Sequence, residues 1–328
     1  MPYTYVHFYF HFVNEKGRAK GFVPKSGKID EEGITLDGNT LDFKEICEIK
    51  TAKEWIAFEL YPYLALPAEL TEQIVPRTAA LVIEIDNEMG DDVKQLAVQY
   101  FTTFQAYQRQ YDLEQQGKEK DFRAVQCPSC AAVLDLSYHQ ETHYVYCKHC
   151  EAIFDSQKQV IPNSEGYSIC PETGFYDRVQ SYTEFSCYIL PKDRRFGIKK
   201  HDFGDAHAEK FLEKIIWKNA LFLIALPSMF MFRSKVKENR SPLYAELAKA
   251  NRLAQAGKLQ EALDLYMLMN IRMEKHPALW LNQGLAHLQA GENEKAVQLF
   301  RRALSYCSNY KPVLDVMRKY GELEIVLS

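Results

Sequence analysis

The sequence predicts an α+β multidomain chain, with an N-terminal antiparallel sheet or barrel closed by a helix, a cysteine-stapled ribbon after it, and α-helical repeats at the C-terminus. Three observations carry that expectation. Short β-rich runs punctuated by glycine, proline and acidic turns fill residues 3–85. Four cysteines stand in two C-x-x-C pairs further on. The last third matches itself at a constant shift that sets Gly257 on Gly291. A length of 328 residues suits two or three domains, and 47% hydrophobic with 26% charged residues marks a globular rather than a disordered chain. The expected segments are 1–118 (β-rich with a C-terminal helix), 119–158 (the cysteine ribbon), 159–210 (a second, degenerate ribbon), 211–240 (apolar helix and basic linker) and 241–328 (helical repeats with a capping helix).

Taken in order, Tyr3 to Val13 is aromatic and β-branched, Asn14 to Gly17 makes a turn, and Ala19 to Val23 is expected to return beside the first run as a hairpin. Gly33 to Leu36, Leu41 to Phe43, Ile46 to Ile49, Trp55 to Leu60 and Ala79 to Ile85 read as further strands. Val93, Leu96, Ala97, Tyr100, Phe101, Phe104 and Tyr107 then recur at helical spacing, a stripe that must cover a sheet, with Asp91 as the expected N-cap. Strands followed by one long closing helix resemble the pleckstrin-homology-like or GRAM-like families over about Tyr3 to Gln116. Members of those families often bind phosphoinositides through a basic first loop, and Lys16, Arg18, Lys20, Lys25 and Lys28 lie in the corresponding stretch. Residues 1–118 nevertheless carry 12 basic and 19 acidic residues, a net charge of −7, which favours a solvated hairpin on an acidic domain. His7 and His11 share a strand face and are assigned no chemistry.

Cys127, Cys130, Cys147 and Cys150 form CPSC and CKHC. Each C-x-x-C turn can aim two thiolates at one point, and the sixteen residues between the pairs suffice to bring the chain back to it. Tetrahedral zinc is what such a point binds. A short ribbon is expected in between, with Val133, Leu134 and Leu136 on one side of a polar turn and Tyr144, Val145 and Tyr146 on the other. Over Gln126 to Phe154 the chain resembles the zinc ribbon family. Four ligands leave no coordination position for water or substrate, so one Zn2+ is expected, in a structural role. A redox dithiol pair would need a thioredoxin-like alternation of strands and helices that this chain lacks.

Beyond it, Cys170-Pro171-Glu172-Thr173-Gly174 repeats the knuckle pattern with Thr173 where a second cysteine would stand, and Cys187 follows in a β-rich run. This reads as a second ribbon that has lost ligands and kept its sheet. A mixed site from Cys170, Cys187 and His201 or His207 lacks any spacing that would fix it. The basic run Lys192, Arg194, Arg195, Lys199 and Lys200 could meet phosphates, since zinc ribbons often meet nucleic acid, but no interleaved aromatics accompany it and a solvated loop is preferred. Phe211 to Phe232 is the most apolar stretch, and its uncharged core of 14 residues, about 21 Å as a helix, is short against about 30 Å of bilayer hydrocarbon. A packing helix, an interfacial or re-entrant anchor and a span all stay open for it. Eight cysteines, four committed to a metal and the rest scattered singly, argue for a reducing compartment, and the amino terminus is not read as a secretory signal, so a cytoplasmic chain is expected, with peripheral attachment to the inner face of a membrane through 211–232 as the variant.

From Tyr244, Gly257 aligns on Gly291, Ala262 on Ala296 and Tyr266 on Phe300. With Trp280, Gly284 and Ala303 in the second copy, residues 241–320 resemble the tetratricopeptide repeat. Glu246, Ala250 and Met269 depart from the pattern in the first copy. Pro312 to Leu327 reads as a capping helix. Two repeats and a cap leave a first face that the helix from Phe211, another copy of this chain or a partner protein must cover. The resemblance implies a concave groove for a peptide or helix of another protein, and Asn251, Asn282 and His287 are the expected partner-binding residues. No nucleophile and base pair, open metal site or phosphate loop announces catalysis. The sequence therefore predicts a non-enzymatic zinc-containing adaptor or scaffold, against the alternatives of a membrane-attached adaptor and a zinc-ribbon nucleic-acid-binding protein.

Overall fold

The computed structural model describes residues 5–52, 55–62, 66–75, 78–85, 89–190, 193–219, 241–273 and 275–320, and of 183–190, 193–199, 212 and 214–219 it describes the backbone alone. The fold is α+β, and the chain divides into two compact units, Met1–His139 with Cys147–Ala152, and Gln140–Tyr146 with Ile153–Ser328.

The first unit is built on seven antiparallel strands, β1 (Tyr5–Phe12), β2 (Lys25–Asp30), β3 (Gly33–Leu36), β4 (Asn39–Asp42), β5 (Ile46–Thr51), β6 (Trp55–Leu60) and β7 (Ala80–Ile85), in the order β4-β3-β2-β1-β7-β6-β5. Alternation sets the faces: Phe8, Phe10 and Phe12 are buried, while Tyr5, His7 and Tyr9 point outward. Gly27 pairs with Phe8, and a Cβ there would sit 2.5 Å from the phenyl ring, so only glycine lets that ring lie on β2. The expected hairpin partner of β1 is corrected by the structure. Residues 25–30 pair with it, and 19–23 contribute one bridge, Val13 to Ala19. Gly17 (φ 69°) and Gly21 (φ 84°) turn the chain twice there, so this stretch cannot run straight.

A short helix, α1 (Ala68–Thr71), precedes β7, and α2 (Gly90–Gln115) follows it. Val93, Ala97, Val98 and Phe101 of α2 are buried, with the Phe101 ring 6.2 Å from that of Phe43 in the turn after β4. Asp91 is not the cap. Met89 holds that position, and Asp91 and Asp92 lie in the first turn, where their charge still opposes the positive end of the helix dipole. Tyr107, expected in the buried stripe, is exposed, because by that turn α2 packs on a ribbon strand instead of the sheet. Thr102 Oγ1 accepts the N–H of Val133 at 2.9 Å and donates to the Val98 carbonyl at 2.7 Å, and Arg109 pairs with Asp135 at 3.2 Å.

The second unit holds the hairpin β10 (Tyr144–Tyr146) and β11 (Ile153–Asp155), the three-stranded sheet β12 (Tyr167–Ile169), β13 (Tyr176–Leu190) and β14 (Asp193–Gly204), and, among the described residues, six α-helices. These are α3 (Asp205–Asn219), α4 (Leu247–Gln255), α5 (Leu259–Arg272), α6 (Pro277–Gln289), α7 (Asn293–Tyr306) and α8 (Lys311–Lys319). The repeat seen in the sequence is literal here. Helices α5 and α7 are both 14 residues long, their first residues Leu259 and Asn293 are equivalent under the shift that sets Gly257 on Gly291, and those two glycines turn at φ 75° and 78° before them. Lys311 opens α8 at the place in the repeat where Pro277 opens α6, so the cap is a third copy of the first helix of the repeat. Gly284 lies against Phe300, whose ring would be 2.3 Å from a Cβ, and the first copy carries Ala250 and Tyr266 at the same two positions.

The apolar helix expected from Phe211 begins earlier, at Asp205, while 220–240, with most of the uncharged core, lies outside the described residues. Helix α3 packs on α4 and is joined to it by a Glu209–Arg252 ion pair, so the first face of the repeats is covered by the chain itself. The side of α4 and α6 that carries Asn251 and Asn282 is also used internally. Asn282 Oδ1 accepts the Tyr176 N–H at 2.7 Å, and Asn282 Nδ2 and Asn251 Nδ2 donate to the Tyr176 carbonyl at 2.8 and 3.0 Å. The alternation of an antiparallel ladder frees those peptide groups: the Phe175 carbonyl and the Val179 N–H bond toward Cys170 and Gly166, so Tyr176, opposite Ile169, turns its own toward the helices. Asn309 repeats the device on β10, accepting from Tyr146 N–H at 2.9 Å and donating to its carbonyl at 2.8 Å.

Candidate metal centre

All four predicted ligands come together in the first unit. Two 3-residue strands, β8 (Ala124–Gln126) and β9 (Val133–Asp135), flank CPSC and pair across it, Gln126 with Val133 and Val125 with Leu134. The expected ribbon, with 133–136 paired to 144–146, is thus corrected: Tyr144 to Tyr146 pair with Ile153 to Asp155 across CKHC. The reason is local. Each C-x-x-C segment is itself a tight turn, and the residues beside it are the nearest partners for a ladder. In the first turn Cys127 N–H bonds the Ala132 carbonyl at 2.8 Å and Ala131 N–H bonds the Cys127 carbonyl at 3.0 Å, and in the second Cys147 and Ala152, then Glu151 and Cys147, do the same at 2.9 and 2.8 Å.

This backbone aims the sulfurs at one point. Cys127 Sγ and Cys150 Sγ are 3.6 Å apart, Cys130 Sγ and Cys147 Sγ 3.5 Å, and all four lie within 4.8 Å of one another. Bonds of about 2.3 Å in a tetrahedral thiolate site place sulfurs about 3.8 Å apart, whereas a disulfide would need about 2.05 Å. The spacing fits a metal ion and no disulfide. Electrostatics lead to the same point. The S–H groups of Cys130, Cys147 and Cys150 hold the Cys127 thiol far below its ordinary range, and hydrogen bonding with Cys127 drives Cys147 and Cys150 upward, since every further thiolate would meet charge already present. A cation at the centre removes that obstacle, and Cys127, Cys130, Cys147 and Cys150 can hold one. Four cysteine sulfurs are the number that a closed tetrahedral site uses. His149, between the ligands, is pushed down to about 4 by burial, and its Nε2 meets no partner among the described residues.

The other sequence-predicted residues stand apart. Asn251 and Asn282 are fully buried and engaged with Tyr176, and Asn251 Oδ1 also accepts from Tyr266 Oη at 2.6 Å. His287 is 8% exposed, with Nδ1 2.7 Å from Glu292 Oε2. Asn251 and Asn282, expected at an outside partner, thus bond within the unit, and His287 engages Glu292 through Nδ1. Cys170 is buried and its sulfur accepts the Gly204 N–H at 3.3 Å, while the His201 and His207 rings lie 5.0 and 4.7 Å from that of Phe203. The Cys187 side chain lies outside the described residues, and among those that are described the four cysteines above form the one candidate metal cluster. In the basic first loop, Lys25 pairs with Asp37 and Lys28 with Asp30, Lys20 donates to the neutral Gln73 Oε1 at 3.1 Å, and Lys16 and Arg18 are exposed. The side chains of Lys192, Arg194, Arg195 and Lys199 lie outside the described residues. No helix among the described residues is long and apolar enough to cross a membrane.

Sequence reasoning misses two groups. Asn309 carries no signal beyond being a polar residue between repeats. The buried cluster of Asp177, Arg178, Tyr182 and Asp205 is dispersed over β13 and α3, with Arg178 Nε 3.0 Å from Asp205 Oδ2, Tyr182 Oη 3.1 Å from Asp205 Oδ1, and Asp177 Oδ2 accepting from Ala206 N–H at 2.9 Å. Compared with family models, curated proteins and solved structures, the chain matches none.

Proposed function

We propose that this chain is a non-enzymatic adaptor in which one zinc ion, held by Cys127, Cys130, Cys147 and Cys150, is structural and the C-terminal helices meet a protein partner. The observation that carries the reading is the convergence of four sulfurs within 4.8 Å, which supports a closed tetrahedral site with no position for a reactant. Zinc rather than another ion follows from an all-thiolate tetrahedral set, which suits a soft-to-borderline cation. The equivalent starts of α5 and α7, with Gly284 against Phe300, support a tetratricopeptide-like module, and seven antiparallel strands followed by α2 support a pleckstrin-homology-like or GRAM-like first unit. Free cysteines in every described position suit a reducing cytoplasmic setting. Because the concave asparagines hold Tyr176, the partner is expected on the outer helix faces.

The test uses the whole chain, since residues 241–328 taken alone would lose Tyr146 and Tyr176. Elemental analysis should give one zinc per chain. Cross-linking of the tagged full-length protein in cells, with the linked residues mapped by mass spectrometry, should place partner links on 241–320. Links confined to the first unit, or co-purifying nucleic acid whose binding falls steeply with salt, would replace this reading.

A further inference from the structure

We infer that α5 is a self-association surface, on which a second copy of this chain docks antiparallel through Leu268 and Ile271. Met267, Leu268 and Ile271 are 62, 50 and 76% exposed on one face of α5, an apolar cluster of the kind that marks an interaction site. The repeat itself supplies the control. At the equivalent positions of the next copy, α7 carries Arg301, Arg302 and Ser305, so the fold of a helix pair does not call for apolar residues there.

Charge selects the occupant. The exposed acids Glu261 and Asp264 lie at the N-terminal end of the apolar cluster, and the exposed bases Arg272 and Lys275 at its C-terminal end. Their existing partners are weak surface ones, Lys258 for Glu261 at 3.2 Å and Gln260 for Asp264 at 2.9 Å. When α5 is laid antiparallel on its own copy, Leu268 meets Ile271 at the centre, and each acidic end meets a basic end, twice, by symmetry. A parallel copy sets like on like. A two-fold isologous contact is the arrangement for which such a self-complementary stripe is fitted, with the charges fixing register and direction.

Sedimentation velocity of the full-length protein over about 1 to 100 μM reads the outcome, with circular dichroism to check folding. The expected result is a reversible dimer whose dissociation constant rises at least tenfold in Ile271→Arg, a change on exposed helix that leaves the helical signal intact. Two further variants make the charge pairing testable: one with Glu261→Lys and Asp264→Lys, the other with Arg272→Glu and Lys275→Glu. Each alone should be monomeric, and an equimolar mixture should dimerise, because the two restore opposite charges at both ends. A monomeric wild type, which includes the case of a segment of the same chain covering α5, overturns the inference, as does a dimer indifferent to Ile271→Arg or a mixture that stays monomeric.

Discussion

Asn282→Ala tests whether the asparagines of the helical module hold the fold or wait for a ligand. The side chain is fully buried and makes three bonds, to Tyr176 N–H at 2.7 Å, to the Tyr176 carbonyl at 2.8 Å and to Asn251 Oδ1 at 2.9 Å. After truncation the Tyr176 carbonyl keeps Asn251 Nδ2, and Asn251 Oδ1 keeps Tyr266 Oη. The Tyr176 N–H loses its acceptor inside a site that water does not reach. One orphaned buried donor costs about 1 to 3 kcal/mol, and the lost packing of a small side chain adds to it, so about 2 to 4 kcal/mol is expected. Asn309→Ala breaks the equivalent pair at Tyr146, but Asn309 is only part-buried and water can replace it, so about 1 to 2 kcal/mol is expected there. Urea unfolding followed by helical circular dichroism, with unchanged m-values, reads both. An Asn282→Ala protein within about 0.5 kcal/mol of wild type would refute the reasoning and return Asn282 to the role of an open recognition residue.

Three further outcomes are expected. Cys147→Ser should lose the bound metal and lower the melting temperature, because three thiolates no longer complete the tetrahedron; a mutant with full metal content would contradict the site. Gly284→Ala should cost about 1 to 3 kcal/mol by overpacking, since its Cβ would fall 2.3 Å from Phe300, while Ala250 holds the same place in the first copy beside a tyrosine. Asp177 is pushed up to about 7 by burial and His276 down to about 3 by burial. Between about pH 4 and 6.5 the folded Asp177 keeps a proton that the unfolded chain loses, so stability falls with rising pH, and the folded His276 lacks a proton that the unfolded chain holds, so stability rises. The two slopes, each about 1.4 kcal/mol per pH unit, cancel. Asp177→Asn should therefore leave a stability that climbs with pH over that window, and His276→Gln one that declines, both visible in urea midpoints.

What is legible in the sequence is what local physics dictates. The C-x-x-C spacing is a local turn and shows its ligands without any tertiary knowledge, and the repeat that sets Gly257 on Gly291 fixes α5 and α7 because each helix pair solves one packing problem twice. The strands of the first unit are legible from their alternation. Their pairing is not, since whether 19–23 or 25–30 returns beside β1 depends on two positive-φ glycines that a composition-based reading treats as one turn. Repeat phase finds Asn251 and Asn282 but not their internal partner, for a similar reason: phase sets two side chains at equivalent places, and cannot say that Tyr176 of β13, distant in the chain from both, bonds them. The Asp177, Arg178 and Asp205 cluster has no signal at all, because its members are ordinary surface residue types brought inside by long-range contacts.

The turn at Cys170 has the backbone of the two C-x-x-C turns without their second cysteine. Cys170 N–H bonds the Phe175 carbonyl and Gly174 N–H the Cys170 carbonyl, both at 2.8 Å, which is the backbone pattern of the two knuckles whose sulfurs converge. In those two, the fifth residue counted from the first cysteine is Ala131 at φ 58° and Glu151 at φ 61°, left-handed conformations that cost a non-glycine residue about 1 kcal/mol each. Thiolate–metal bonds of a structural site contribute on the order of 10 kcal/mol, enough to hold such strain. The third turn has Thr173 in the place of the second cysteine, and there the left-handed position is Gly174 at φ 74°, which carries no such cost. The remaining stability comes from outside the turn. Phe175 is fully buried, Tyr176 is held by Asn251 and Asn282, and Asp177 accepts the Ala206 N–H in the first turn of α3. A turn whose two counterparts bring four sulfurs together is here held by side-chain amides and an aromatic core, which keep the same backbone pattern without a second cysteine.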